Sequence, residues 1–452
     1  MLGRIATGLW GTFDTLDEFK KFIKLAVIFF FIIGVYWTLR PIKDSVFGSI
    51  VGGQFLPWAK MLSIVLIAPL VVFYSKLIEI YAREKLFYGI LIFYAAITAL
   101  FAFLFTHPVI EHAFMHKEFV VAGPLCLVGW LWYVFVESFG SFVIAIFWVI
   151  VTDITMPESA KRGFPIIALF GQMGNIVGPF FLNTRMLGLA TSAPIVGFCS
   201  LLMLCTLLLL KYFMSSTPKS LLRGYHENRA DVAQNKDAGF FEGLRLLCTK
   251  QYLLGIFFIV GFYELIITVI DNHFKQTVCE TFASEGMRSA YLSSYAYSVG
   301  IVATICILFG INNIQRKLGM QISLVLLPVL LGAAILCTAL YPSSLTVAFY
   351  VMVLTKAINY ALNQPALKQL YIPTTKDVRY QAQGWIDMFG SRCAKGIASI
   401  FNILRGGRLL GVESFLMGVC VASFGCIVLW LRVAVFVSEK YDVAISKDEV
   451  VC

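Results

Sequence analysis

Long apolar stretches, broken by short polar ones, run nearly the length of this chain. Twelve of them are long enough to cross the ~30 Å hydrocarbon core of a bilayer as helices. The first six lie near residues 22–40, 58–80, 86–106, 124–151, 164–183 and 193–213. The last six lie near 253–271, 289–311, 319–341, 345–363, 384–404 and 412–436. The fourth stretch is overlong, and reading it as two spans would invert everything after it. Lysine and arginine decide between the two counts. With twelve spans and both ends in the cytoplasm, the cytoplasmic segments hold most of the basic residues, as the positive-inside rule requires.

The only long polar stretch covers residues 215–251 and contains Pro218, His226, Arg229, Asp231 and Lys236. It divides the spans into six and six. The expected organisation is an N-terminal segment 1–21, a six-helix half 22–214, a cytoplasmic linker 215–252, a second half 253–436 and a tail 437–452. This is an all-α membrane protein of twelve transmembrane helices, a major-facilitator-like 6+6 pseudo-symmetric bundle. A short internal repeat points the same way. Gly34-Val35-Tyr36 precedes Asp44 at the same spacing as Gly261-Phe262-Tyr263 precedes Asp271. Residues 9–21 mix Trp10, Phe13, Leu16 and Phe19 with Asp14, Asp17 and Glu18, the pattern of an amphipathic helix lying on the membrane surface. The first apolar run lacks the small-residue cleavage site of a signal peptide.

Composition agrees. Of 452 residues 59% are hydrophobic and 14% charged, against roughly 25% charged in soluble domains. The net charge of +10 is spread through loops, without the basic stripe of a nucleic-acid-binding fold. The cysteines sit in apolar runs, as at Cys199, Cys205, Cys306, Cys337, Cys420 and Cys426, and are expected as small buried hydrophobes rather than disulfides or metal ligands. No phosphate-binding GxxxxGK[ST] loop, nucleophile elbow or HExxH motif occurs, so no enzyme activity and no cofactor are expected. The His112/His116 pair lies in a short outer loop and makes a poor metal site.

The chemistry lies in the charges inside the spans. An ionisable group at membrane depth costs roughly 2.5–3.5 kcal/mol on insertion scales, so such groups line a water-filled path by default. In span one Tyr36, Arg40 and Lys43 form one helical stripe, and Pro41 within it frees a backbone carbonyl. Span four carries Glu137 with Trp130 and Ser141 on its face. Span five carries Gln172 and Asn175, with Gly174 and Gly178 for close packing. Span seven carries Glu264, Thr268 and Asp271. Span ten carries Lys356, Asn359 and Asn363, with Gln364 beside them. Span eleven carries Asp387, Ser391 and Lys395, with Arg392 adjacent. The basic set, drawn from both halves, suits a polyanionic cargo, because guanidinium and ammonium groups bind phosphate. The competing readings are snorkelling of Arg40 and Lys43 at the span end, and internal salt bridges that only hold the bundle together.

At Tyr36-Trp37-Thr38-Leu39-Arg40-Pro41-Ile42-Lys43-Asp44 the sequence resembles the nucleotide transporter family of plastids and intracellular bacteria, the ATP/ADP translocases, whose first span ends in L-R-x-x-K-D. The likeness continues at Phe55-Leu56-Pro57-Trp58-Ala59-Lys60. It returns at Val136-Glu137-Ser138-Phe139-Gly140-Ser141, similar to the family's S-E-L-W-G-S. Ala160-Lys161-Arg162 with Leu169-Phe170-Gly171 resembles A-K-R-F-Y-x-L-F-G, and Leu370-Tyr371-Ile372-Pro373 resembles M-A-Y-I-P. Ile386-Asp387 through Ser391-Arg392 to Lys395-Gly396 is similar to A-I-D … G-K-S-G. The resemblance implies that Lys43, Glu137 and Glu264 are the family's membrane-embedded Lys, Glu and Glu. Four positions that the family fills with charged residues are amides: Asn359, Gln364, Gln369 and Gln383.

The resemblance implies a transporter that exchanges ATP for ADP by alternating access. The alternatives are a proton-coupled importer of another nucleotide or NAD and, from a different class, a membrane enzyme acting on lipid phosphates. The expected site comprises Tyr36, Arg40, Lys43, Glu137, Asn175, Glu264, Asp271, Lys356, Asn359, Asp387, Arg392 and Lys395. The expected partners are a nucleotide and membrane lipids, with no nucleic acid. A monomer in a bacterial inner membrane is expected, with both termini cytoplasmic.

Overall fold

The computed structural model describes residues 15–81, 83–116, 124–155, 157–222, 249–308, 312–374, 390–406 and 412–447, with Arg245, Leu247 and Ile386 besides. Among these residues it is all helix and connecting turn, with no strand. Fifteen α-helices among the described residues run in chain order. In the first part of the chain they are α1 (Leu16–Phe47), α2 (Leu56–Ile80), α3 (Arg83–Leu104), α4 (Pro108–Met115), α5 (Pro124–Asp153), α6 (Pro157–Phe181), α7 (Ala193–Ser216) and α8 (Lys219–Leu222). Then come α9 (Gln251–Thr281), α10 (Glu285–Leu308), α11 (Asn312–Leu340), α12 (Leu345–Ile358), α13 (Gln364–Gln369), α14 (Ser391–Gly406) and α15 (Val412–Lys447).

Ten helical stretches among the described residues are long and apolar enough to cross a membrane. Backbone groups in hydrocarbon must bond within their own helix, which is why apolar runs of this length fold as helices. Large apolar side chains point outward along them, as with Phe103 (74% exposed), Leu340 (71%) and Val421 (68%), a surface that only lipid tolerates. The overlong fourth run is the single helix α5, so the reading as two spans falls. The first two expected spans form one helical stretch, Leu16–Ile67, interrupted by a π turn at Gly48–Gly52. Gly52 has φ of +112°, a backbone conformation that L side chains rarely adopt, and there the chain leaves α1 for α2. The eleventh expected span is described only as α14, sixteen residues with a strongly polar face.

Three expectations need correction. Pro41 does not break its helix. α1 continues through it to Phe47, and the interruption comes at the following π turn. The surface helix expected over residues 9–21 is, in its described part, the first turn of α1, where Glu18 and Lys21 are buried. The residues before Thr15 lie outside the described set. Thr15 caps α1 by accepting from the Glu18 amide at 3.1 Å, so helix formation starts there and runs directly into the span. Of the cysteines expected inside, Cys199 is buried, whereas Cys205 and Cys337 are exposed on apolar helix faces.

By contact the chain forms two compact units. The first comprises Met1–Gly53, Val65–Asn235 and Cys279–Tyr297. Its centre is α1, against which α5, α6 and α7 pack. A Cβ on Gly174 would lie 2.4 Å from the Phe30 carbonyl oxygen, and one on Gly178 would lie 2.4 Å from that of Gly34. The two glycines therefore let α6 approach the backbone of α1, as their spacing leads one to expect. Phe29 stacks on Phe147 of α5 with centroids 4.8 Å apart, fixing the other side of α1. The start of α10 is held in this unit by Arg288, which is 1% exposed and donates to Ser49 Oγ at 2.9 Å and to the carbonyls of Phe282 and Ala283. Buried Glu285 accepts from the amide and the hydroxyl of Ser192 at 2.8 Å each.

The second unit comprises Gln54–Ile64, Lys236–Val278 and Ser298–Cys452. α11 packs on α15 and α12, with Leu324, Leu327, Leu331 and Trp430 buried. Gly319, with φ of +85°, separates the first turns of α11 from its apolar part, so the membrane-length segment starts there. A second π turn, Asn359–Asn363, joins α12 to α13. π turns insert one residue per turn and redirect side chains, and they recur at functional sites.

Candidate functional site

Each unit carries one cluster of charged residues at membrane depth. In the first unit it is built on the last turns of α1. Lys43 is 2% exposed and bonds to the Glu137 carboxylate on α5. Its ammonium lies 3.4 Å from Asp44 Oδ1 and 4.0 Å from the centroid of the Tyr133 ring. Arg40, one turn earlier, stacks its guanidinium over Trp37 at 4.9 Å. Tyr36 packs nearly parallel to Phe139, centroids 6.5 Å apart. Gly140 makes room for the Tyr36 ring, which a Cβ there would meet at 2.4 Å. The stripe Tyr36, Arg40, Lys43 and the face of Glu137 are thus brought together. Snorkelling does not describe Lys43, whose ammonium is enclosed by two carboxylates and an aromatic face. Asn175, on the α6 face beside Gly174, is 4% exposed, and its Oδ1 has no hydrogen-bond partner. A buried acceptor of this kind ordinarily finds a donor in protein, water or ligand.

In the second unit the cluster is built on α9. Glu264 accepts from Ser391 Oγ at 3.1 Å and pairs with Lys395 at 3.3 Å. Ser391 and Lys395 share a face of α14, so the helical spacing read from the sequence brings both to one carboxylate. Two turns along α9 from Glu264, Asp271 pairs with Lys275 at 2.9 Å, and its other oxygen lies 3.9 Å from Lys356 of α12. Thr268 lies buried on α9 between the two acids. Lys60, at the start of α2, lies within electrostatic range of Asp271, Lys275, Lys356 and Lys395. In the π turn Asn363 donates to Asn359 Oδ1 at 2.9 Å, and both residues are buried. Arg392 is partly buried on α14 beside Ser391. Gln364 and Gln369 bound α13, while Asp387 and Gln383 lie outside the described residues.

The sequence reading missed Lys60, Lys275, Asp44 and Tyr133 as members of these clusters. Lys275 was within reach, since it follows Asp271 by four residues and so shares its face. Ending the seventh span at Asp271 excluded it. Asp44 and Lys60 had signals of a kind, one in the repeat and the family motif, the other in the second motif. Nothing in the local pattern carried Lys60 to α9.

The TLC ATP/ADP transporter family matches residues 3–441, almost the entire chain. The chain belongs to this family. Among curated relatives, it is 26% identical to ADP,ATP carrier protein 1 of Rickettsia prowazekii (strain Madrid E), over 96% of this chain and 95% of that one. It is 24% identical to ADP,ATP carrier protein 1 of Chlamydia muridarum, covering 99% and 93% of the two chains. Among solved structures, the fold resembles a bacterial homologue of the iron transporter ferroportin, with TM-score 0.61, 13% identity and 94% and 100% of the two chains covered. It also resembles the nucleoside transporter NupG, with TM-score 0.55, 16% identity and 93% and 99% covered. At these identities the structural likeness speaks for the fold alone. Family membership makes the chain a membrane-embedded, multi-pass transporter rather than an enzyme.

Proposed function

We propose that this protein is a nucleotide antiporter that exchanges ATP for ADP by alternating access. The observation that carries the reading is the family match over residues 3–441, extended by full-length likeness to named ADP,ATP carriers. The two charged clusters support it. Phosphate chains need several cations held in place, and ammonium and guanidinium groups supply charge-assisted hydrogen bonds to them. Lys43, Arg40, Lys356, Arg392 and Lys395 are assigned to the cargo's negative charge. Tyr36 is assigned to its ring, with Asn175 and Asn359 as uncharged hydrogen-bonding groups. Glu137, Glu264, Asp271 and Asp387 tune the balance. The proposed architecture is a 6+6 bundle in a bacterial inner membrane, monomeric, with both termini in the cytoplasm.

A second reading, proton-coupled uptake of another nucleotide or NAD, has one observation in its favour. The Glu137 side chain is 33% exposed while bonded to buried Lys43, so a proton from solvent can reach this pair. Uptake of a panel of labelled nucleotides, nucleosides and NAD into proteoliposomes separates the readings. ATP and ADP should lead the ranking and be insensitive to a protonophore. A protonophore-sensitive ranking led by NAD or a nucleoside would overturn the antiport reading.

A further inference from the structure

Lys60 stands apart from the other cations of the second unit. Lys275 and Lys356 share Asp271, and Lys395 has Glu264. Lys60 has no carboxylate within ion-pair distance among the described residues, yet it sits in the field of three other ammonium groups and a single named acid, Asp271. Its place is fixed by packing as well as by charge. The next residue, Met61, lies 3.8 Å from where a Cβ on Gly396 would be, so the first turns of α2 abut α14 next to Lys395. The segment Gln54–Ile64 belongs by contact to this unit rather than to the one that holds the rest of α2.

A lysine at the end of a span ordinarily extends to water and away from like charge. Here four lysines and two carboxylates converge among the described residues, and an added anion would lower the cost of holding the ammonium groups together at membrane depth. The anion must carry more than one charge and present several oxygens, since the ammonium groups stand on α2, α9, α12 and α14.

We infer that Lys60, with Lys275, holds the terminal phosphate of a polyphosphate chain and so sets the preference for triphosphate over diphosphate and monophosphate. This assignment rests on the nucleotide-transport reading and names the part of the cargo that the second unit recognises. Asp271 positions Lys275 and Lys356 and keeps the empty cluster from repelling itself. Lys60, the ammonium without its own carboxylate, is the group that only the longest phosphate chain satisfies.

The test compares wild type, Lys60→Gln, Lys60→Arg and Lys275→Gln in two assays. In proteoliposome uptake, Lys60→Gln should raise KM for ATP by roughly tenfold to a hundredfold, the loss expected for a hydrogen bond to a charged group. KM for ADP should rise less and that for AMP should stay unchanged, while Lys60→Arg keeps the wild-type order. In detergent, inorganic tripolyphosphate should raise the melting temperature of the wild type more than pyrophosphate does, and Lys60→Gln should erase that difference. Equal KM changes for ATP, ADP and AMP, or a tripolyphosphate shift that survives Lys60→Gln, would overturn the inference. If the wild type moves no nucleotide yet tripolyphosphate still stabilises it through Lys60, the transport reading fails and the polyphosphate site stands. The melting assay also identifies any variant that has simply failed to fold.

Discussion

The two charged clusters are built on opposite principles. In the first unit Lys43 pairs with both Asp44 and Glu137, Arg40 stacks on Trp37, and the rings of Tyr133 and Tyr36 lie beside them. In the second, Lys60, Lys275, Lys356 and Lys395 face Asp271 and Glu264, with amides and hydroxyls such as Asn359, Asn363, Thr268 and Ser391 nearby. A balanced, ring-lined cluster is stable when empty and offers flat apolar faces. One whose described lysines outnumber its described carboxylates is the better fit for an anion. On the proposed reading both clusters meet the cargo's negative charge, the first adding aromatic faces for its ring and the second, through Lys60 and Lys275, its terminal phosphate.

The severest way to break the comparison is Lys43→Gln. It leaves Asp44, whose side chain is 4% exposed, and Glu137 without the ammonium they share. Removing one member of a buried ion pair costs roughly 3–5 kcal/mol, so uptake should vanish and the detergent melting temperature should fall. Adding Glu137→Gln should restore much of the melting temperature but none of the transport. Wild-type uptake by Lys43→Gln alone would contradict the balanced-cluster reading.

A smaller effect is expected from Gly178→Ala. The new Cβ meets a backbone oxygen at 2.4 Å, which cannot swing away, and overpacking of this kind costs roughly 1–3 kcal/mol. It should displace α1 and lower nucleotide affinity, while tripolyphosphate continues to stabilise the protein through the second unit. A matching loss of the tripolyphosphate effect would show that the clusters are not separable. Gly140→Ala should be milder, because it presses on the movable Tyr36 ring. The expected result is an altered ranking of purine against pyrimidine nucleotides, measured by competition, with ATP-to-ADP preference intact. The smallest change belongs to Asn359→Lys, which adds one more cation to those of the second unit. It should raise the ATP-to-ADP preference slightly in the same competition assay.

What could be read from the sequence follows from the solvent. Lipid forces each apolar run into a helix and penalises each charge within it, so the spans, the Lys43 stripe and the Ser391–Lys395 face were legible one helix at a time. The glycines of α6 were legible too, because small residues four apart have few other uses in a span. What was not legible depends on contacts between distant segments or on backbone departures from the α-helix. Lys60 joins α9 and α14 through tertiary packing alone. The break after α1 lies at Gly52 and its π turn rather than at Pro41, because a helix survives the loss of one hydrogen bond at proline more easily than it passes through a positive φ.

The proposed anion site also bears on exchange itself. Closing water away from uncompensated charge raises the barrier for the empty carrier, and a bound polyanion lowers it. The most direct measurement is the initial rate of ATP uptake into proteoliposomes loaded with ADP or with buffer, at fixed pH with a protonophore present. ADP-loaded vesicles should take up ATP at least roughly tenfold faster, equivalent to a barrier difference of ~1.4 kcal/mol. Equal initial rates in the two preparations would contradict obligatory exchange.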